Sequence, residues 1–320
     1  MSALDYIRNS GTRVSCDTMN VAGAEAWYGK KYINCTSNQA IAYTELVSET
    51  GKDVMAEAAE RVKAKSSDTD KLVYQTVNMA IAILGKRMLE QIDGSVLSQT
   101  NPSSAYDIQG TVQHARDLIA AYKELGIEKE RVIIKVPSTW EGLQACKQLR
   151  QEDGINTLGT MIFSFAQAVE AAAVGCVAIS PYVNSLETNF NASQYKRPDD
   201  IRQHRGVMLS KQIHEYYRTH KVTTKLVPAG MLDPAEPIAL AGVDEITAQP
   251  ALLLELSNLQ VSEGSVLDQV SGNDAPVSFT EEEFRVAMQE SQVAYDMNFA
   301  INGFMGFEQK LTELAQKALN

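Results

Sequence analysis

No stretch of this sequence is apolar for long enough to cross a bilayer as a helix. The nearest candidate, Ala166 to Ile179, is interrupted by Gln167 and Glu170 and falls short of the roughly 20 residues a span requires. The first residues, MSALDYIRNSGTRV, lack an apolar core behind a basic cluster, so no secretory signal is expected and the cytoplasm is the expected compartment. Basic charge is also scarce. Lys and Arg number 29 against 40 Asp and Glu, a formal net charge of -11, which leaves no clustered cations to neutralise phosphates. Neither nucleic acid nor a membrane is an expected partner, and solubility is a sufficient account of the acidity. Cysteine is sparse: Cys16, Cys35, Cys146 and Cys176 are scattered, three of them inside apolar strand-like runs, which suits reduced, buried thiols better than a disulfide frame or a CxxC metal site. Histidine offers no metal set either. His214-Glu215 begins like a zinc helix, but position 218 is Arg218, and His114, His204 and His220 are expected on helix surfaces.

What is present is an alternation. Short β-branched or apolar runs recur at Arg13–Met19, Tyr32–Thr36, Gly94–Gln99, Arg131–Pro137, Asn156–Phe163, Cys176–Val183, Thr223–Ala229 and Glu245–Ala248. Between them, Asp53–Lys65, Asp70–Gln91, Thr111–Leu125, Trp140–Arg150 and Ala166–Ala173 carry apolar residues at three- and four-residue steps, the spacing of amphipathic helices. Strands separated by helices imply parallel pairing through βαβ crossovers. The turn after the first strand, Cys16 to Val21, has no glycine fingerprint, which favours a closed barrel over an open dinucleotide-binding sheet. No Pro-, Gly- or Ser-rich linker divides the 320 residues, so one α/β domain over residues 1–320 is expected, a (β/α)₈ TIM barrel. Thr280–Asn298 and Gly306–Leu319 read as helices broken at Gly303–Gly306, the last of them lying over the barrel.

Barrels of this type place their chemistry at the C-terminal ends of the strands. Polar residues closing the apolar runs are therefore the candidates: Asp17, Thr36 with Asn38, Gln99, Lys135, Thr160 and Ser180. Lys135 interrupts Val132-Ile133-Ile134-Lys135-Val136, where an ammonium is poorly solvated, and desolvation raises the neutral amine that attacks carbonyls. The plainer alternative is a lysine whose stem is buried and whose head reaches water. Asp17 suits general acid–base work at substrate hydroxyls, or else caps a turn. Thr36, Asn38, Thr160 and Ser180 offer hydrogen bonds, or are satisfied strand termini.

Read together, these residues resemble transaldolase. R-V-I-I-K-V-P-S-T-W-E-G-L-Q-A (Arg131–Ala145) is similar to that family's active-site lysine signature, and G-I-N-T-L-G-T-M-I-F-S-F-A-Q-A (Gly154–Ala168) continues it. The C-D-T of strand one, I-S-P-Y (Ile179–Tyr182) and T-A-Q-P-A-L-L (Thr247–Leu253) extend the likeness over most of the chain. The resemblance implies a (β/α)₈ barrel with an additional C-terminal helix, a Schiff base at Lys135, proton transfer by Asp17, substrate hydrogen bonds from Asn38 and Ser180, and a catalytic water held with the help of Thr160. It implies a dihydroxyacetone unit cut from a ketose phosphate and passed to an aldehyde, with no metal or organic cofactor. Family members are often homodimers, which no feature of this sequence tests.

Three departures change that expectation. Gln99 stands where transaldolases place a glutamate, and an amide cannot exchange protons. Tyr182 replaces a phenylalanine, and with Gln99 it resembles the fructose-6-phosphate aldolase branch; a water relay through Gln99, Thr160 and Tyr182 is expected. The two phosphate-gripping arginines are missing: Asn184 and Ser185, which become candidates for contacting substrate, occupy one place, and Gly230-Met231-Leu232 the other. Lys196, Arg197, Arg202 and Lys225 lie in nearby segments but read as a solvated face. An unphosphorylated or atypical carbonyl or sugar substrate is expected. The alternatives are an ordinary pentose-phosphate-pathway transaldolase, a barrel repurposed for specialised metabolism, and a non-catalytic binding protein.

Overall fold

A computed structural model describes residues 1–25, 28–65, 67–261, 264–265, 267 and 275–320. Its strands are β1 (Arg13–Asp17), β2 (Cys35–Thr36), β3 (Val96–Gln99), β4 (Val132–Pro137), β5 (Thr157–Ile162), β6 (Ala178–Pro181), β7 (Lys225–Leu226) and β8 (Glu245–Ala248). They form one parallel sheet in the order β7-β6-β5-β4-β3-β2-β1-β8. Thr247 N donates to Pro228 O at 3.2 Å, which bridges the two ends of that order and draws the sheet into a barrel. All eight expected strands are present; β8 keeps the bounds of its run, the others are shorter, and β2 and β7 are reduced to two residues each.

The period of two along each strand sorts its residues. Val14, Cys16, Val96, Ile134, Val136, Ile179 and Ile246 point outward into the large core shared with the helices. Leu97, Leu158, Ala178 and Val227, with Ile133 against them, fill the barrel's interior as a separate apolar plug. Truncating a buried leucine such as Leu97 to alanine costs about 2–5 kcal/mol in a packed site of this kind. At the N-terminal ends of the strands the interior closes on Glu245: Ser15 Oγ donates to it at 2.5 Å, Asn34 Nδ2 donates at 2.8 Å, and Arg13 pairs with it at 2.9 Å.

The expected amphipathic helices occur as Val54–Val62, Thr69–Leu89, Ile108–Glu124, Trp140–Gln148 and Phe165–Ala173. The expected break at Gly303–Gly306 does not occur. The chain instead turns at Met288–Glu290, between a helix at Glu281–Ala287 and an unbroken one at Ser291–Leu319. Gly303 lies within this helix with its bare face against another: a Cβ there would lie 3.0 Å from Phe190 Cε2. Val293, Met297, Ala300, Ile301 and Phe304, spaced at helical steps, pack this last helix on Tyr182, Leu186 and Ala229 at the C-terminal mouth of the barrel. Phe304 is fully buried there.

His114 also corrects the reading from sequence, being buried and not on a helix surface. Its Nδ1 accepts from Asn101 N at 2.7 Å and its Nε2 faces Asn78 Oδ1 at 3.0 Å, so the neutral ring with its proton on Nε2 satisfies both contacts. His204 and His220 flank the helix Arg205–Thr219. The four cysteines are buried and free, as expected.

Candidate active site

Two residues beyond the apolar plug, strands β3 to β6 each present an inward polar side chain. Leu97, Ile133, Leu158 and Ala178 are followed on the same faces by Gln99, Lys135, Thr160 and Ser180, all of them buried. On the other side of the barrel Asp17 ends β1 beside Thr36, its register partner on β2. Gln99 and Lys135 are register partners on β3 and β4. The apolar plug below and the helix cover above leave this ring in a poorly hydrated layer.

Lys135 is 3% exposed. Burial lowers the pKa of its ammonium below the ordinary lysine value, and the carboxylate of Asp17 pulls in the opposite direction. Burial likewise raises the Asp17 carboxyl, opposed by Lys135 and by the hydrogen bond from Thr36. Two groups of opposite charge thus sit close enough to influence each other in a site that disfavours both charged forms. Thr36 Oγ1 donates to Asp17 Oδ1, and Thr247 Oγ1 on β8 lies 2.7 Å from the same hydroxyl. Thr247 is a contributor that the pattern of strand-closing residues did not single out.

The β5 end is irregular. The ladder shifts between Gly159 and Ile162, and Met161 adopts φ 57°, a left-handed backbone that costs a non-glycine residue about 1–3 kcal/mol. Gln167 clamps this bulge with four bonds: its Nε2 donates to Ser138 O and Met161 O, and its Oε1 accepts from Phe163 N and Ser164 N. Thr160 Oγ1 then lies 3.5 Å from Tyr182 Oη, the buried phenol whose pKa desolvation raises.

A cavity of about 410 Å³ opens over the ring, and Asp17, Asn38, Lys135 and Tyr182 all line it. Asn38 Oδ1 caps the helix Gln39–Leu46 by accepting from Ile41 N, which leaves its amide hydrogens for a partner in the cavity. Thr36, Gln99, Thr160 and Ser180 lie buried behind these residues. The wall is otherwise largely apolar, with Ile41, Leu186, Phe190, Pro250, Phe304 and Phe307 among its residues. Among the lining residues the carboxylates are Asp17 and Glu45 and the one cation is Lys135.

Asn184 and Ser185 do not join this cavity; they line a neighbouring one of about 290 Å³. Ser185 caps a short helix by accepting from Thr188 N. Asn184 Nδ2 donates to both oxygens of Glu236, at 2.9 and 3.0 Å, and Leu232 N donates to the same fully buried carboxylate. Of the basic residues nearby, Lys196 and Arg205 line this second cavity, and three others are paired elsewhere. Lys225 pairs with Asp244 at the opposite end of its strand, Arg197 with Asp233 and Arg202 with Asp200.

No group of His, Cys, Asp and Glu suited to hold a metal ion occurs among the described residues, and no helix among them is long and apolar enough to cross a membrane. A family model described as Transaldolase/Fructose-6-phosphate aldolase matches residues 14–318. The chain is 31% identical to a transaldolase of Saccharomyces cerevisiae over 301 residues, 92% of this chain and 88% of that protein. It is 33% identical over 262 residues to a transaldolase of a Marinomonas species, covering 80% and 81% of the two chains, and 30% identical over 272 residues to a probable transaldolase of Drosophila melanogaster, covering 83% and 81%.

Proposed function

The chain belongs to the transaldolase/fructose-6-phosphate aldolase family, and from that premise we propose that it makes or breaks carbon–carbon bonds through an imine formed between Lys135 and a dihydroxyacetone-type donor. The observation that carries this reading is the buried amine of Lys135, lowered in pKa and facing Asp17 across one cavity. A neutral amine adds to the donor ketone, and loss of water gives an iminium ion. That cation draws electrons from the adjacent carbon, so a C–C bond can break or a proton can leave to give an enamine. The enamine adds to an aldehyde, and water then frees the product and restores the amine.

Asp17 moves protons at the substrate hydroxyl whose oxygen becomes a carbonyl on cleavage. Thr36 holds that carboxylate, and Asn38 and Ser180 supply hydrogen bonds to the donor's hydroxyls. A water bonded by Gln99, Thr160 and Tyr182 relays the proton when the imine forms and hydrolyses. What supports this last step is the buried Gln99 Oε1, an acceptor with no partner among the described residues.

The substrate is unphosphorylated. Lys135 alone offset by Asp17 and Glu45 gives the cavity no positive charge to spare for a phosphate, and the aromatic outer wall suits an apolar group on the aldehyde. Borohydride reduction in the presence of dihydroxyacetone tests the proposal by fixing the donor's mass on Lys135. An adduct in the native protein, absent in Lys135→Met, is the expected result. No adduct with dihydroxyacetone, fructose or fructose 6-phosphate would end the imine reading, and turnover faster with the sugar phosphate than with free dihydroxyacetone would end the claim about charge.

A further inference from the structure

Gln39 begins the helix that Asn38 caps, and its side chain turns back onto the end of β3. It is 2% exposed. Nε2 of Gln39 donates to the main-chain oxygens of Gln99 at 3.2 Å and Thr100 at 3.0 Å, and its Oε1 accepts from Gln99 Nε2 at 2.7 Å. The orientations of both amides follow one from the other. Two main-chain carbonyls can only accept, so the nitrogen of Gln39 must face them and its oxygen must face Gln99. That oxygen can also only accept, so Gln99 must give it a nitrogen. The oxygen of Gln99 is then sent to the far side of its amide, where it is buried and without a partner among the described residues.

We propose that Gln39 is a positioning residue that fixes position 99 as an oriented amide and excludes an ionised carboxylate there. Through it, β3 presents a neutral acceptor, next in register to Lys135, to a water or a substrate hydroxyl. This rests on the imine reading of Lys135. A carboxylate at position 99 would set an anionic oxygen against Gln39 Oε1. Gln39 cannot turn to relieve the contact, because its oxygen would then face two carbonyls. A glutamate at this position is accommodated only in its protonated form, with the proton donated to Gln39; it then copies the native amide atom for atom.

The test compares pH profiles of aldol turnover, with free dihydroxyacetone and an unphosphorylated aldehyde, for Gln99→Glu and for Gln39→Met/Gln99→Glu. Gln99→Glu is expected to work at low pH and to lose turnover as its carboxyl ionises. Removing the opposing oxygen in the double variant is expected to move that loss to lower pH by about one pH unit or more. Gln39→Met alone is expected to lower kcat at least about tenfold with KM nearly unchanged, because the amide is no longer held. Gln39→Glu provides a second route if the methionine variants fold poorly. Its protonated form still offers one donor and one acceptor, so turnover should be retained at low pH and fall as pH rises.

Coincident midpoints in Gln99→Glu and the double variant, or a loss in Gln39→Glu that does not depend on pH, would overturn the role given to Gln39. Borohydride trapping at Lys135 in the native protein separates the two ideas: no adduct defeats the imine reading, whereas an adduct with coincident midpoints defeats Gln39 alone.

Discussion

Thr36 Oγ1 donates to Asp17 Oδ1 at 2.5 Å while facing Thr247 Oγ1 at 2.7 Å, so the hydroxyl that holds the carboxylate is itself held from β8. Asp17→Asn keeps an oxygen at that place and removes only the charge. Turnover is expected to fall about 10²–10⁴-fold, the usual weight of a general acid–base group. Asp17 raises the pKa of Lys135, so its neutralisation lowers that pKa further, and borohydride trapping of a donor should persist to lower pH than in the native protein. Undiminished turnover in this variant would remove Asp17 from the mechanism.

Tyr182→Phe is expected to cut turnover about 10²-fold and to slow formation of the Lys135 adduct without lowering its final yield, since in the proposed mechanism the phenol relays a proton as the imine forms and hydrolyses but does not hold the donor. Steady-state rates set beside adduct mass make the check. A variant as fast as the native protein would show that the relay does not pass through the phenol.

The apolar wall makes a prediction about substrates. Phe307→Ala should raise KM for an aldehyde bearing an aliphatic or aromatic group about tenfold while leaving glyceraldehyde nearly unaffected, because only the former buries surface against the ring. Equal effects on both aldehydes would place the acceptor elsewhere.

His114 predicts a pH dependence of stability. Burial lowers its pKa from 6.5 to about 4, so the unfolded chain binds the proton more readily between those values. Its full contribution is present above pH 6.5, is lost as pH falls toward 4, and changes no further below that. The difference in unfolding free energy between the native protein and His114→Gln should therefore shrink over this interval, by about 3 kcal/mol at most. Urea denaturation at stepped pH measures it, and parallel curves would contradict the assignment.

Glu245→Ala should destabilise the fold by about 2–4 kcal/mol, because Ser15 and Asn34 lose a buried acceptor and Arg13 its partner. The folded fraction should still form the Lys135 adduct, since this network lies at the opposite end of the strands. Loss of the adduct in folded protein would tie the two ends together.

The ring of inward polar residues was legible because each interrupts or closes an apolar run, and alternation alone then sends Gln99, Lys135, Thr160 and Ser180 to one layer. The line does not extend past the strands. Asn184 and Ser185 follow β6, and a buried carboxylate 52 residues on, Glu236, decides where Asn184 points. Gln39 and Gln167 do not stand out as site residues for the same reason: each bonds main-chain groups exposed by a strand end or a bulge, which no side-chain pattern announces. Gly303 misled because local propensity favours ending a helix there, whereas contact with Phe190 requires the missing Cβ within one.

Phe304 and Phe307, which finish the mouth of the cavity, are contributed by the helix Ser291–Leu319, long after Ala248 has completed the eighth strand. During synthesis from the N-terminus, every member of the polar ring exists before its roof does. The order of manufacture makes the buried amine first and its shelter last, so a chain stalled between residues 248 and 304 would have Lys135 without Phe304 and Phe307 to cover it.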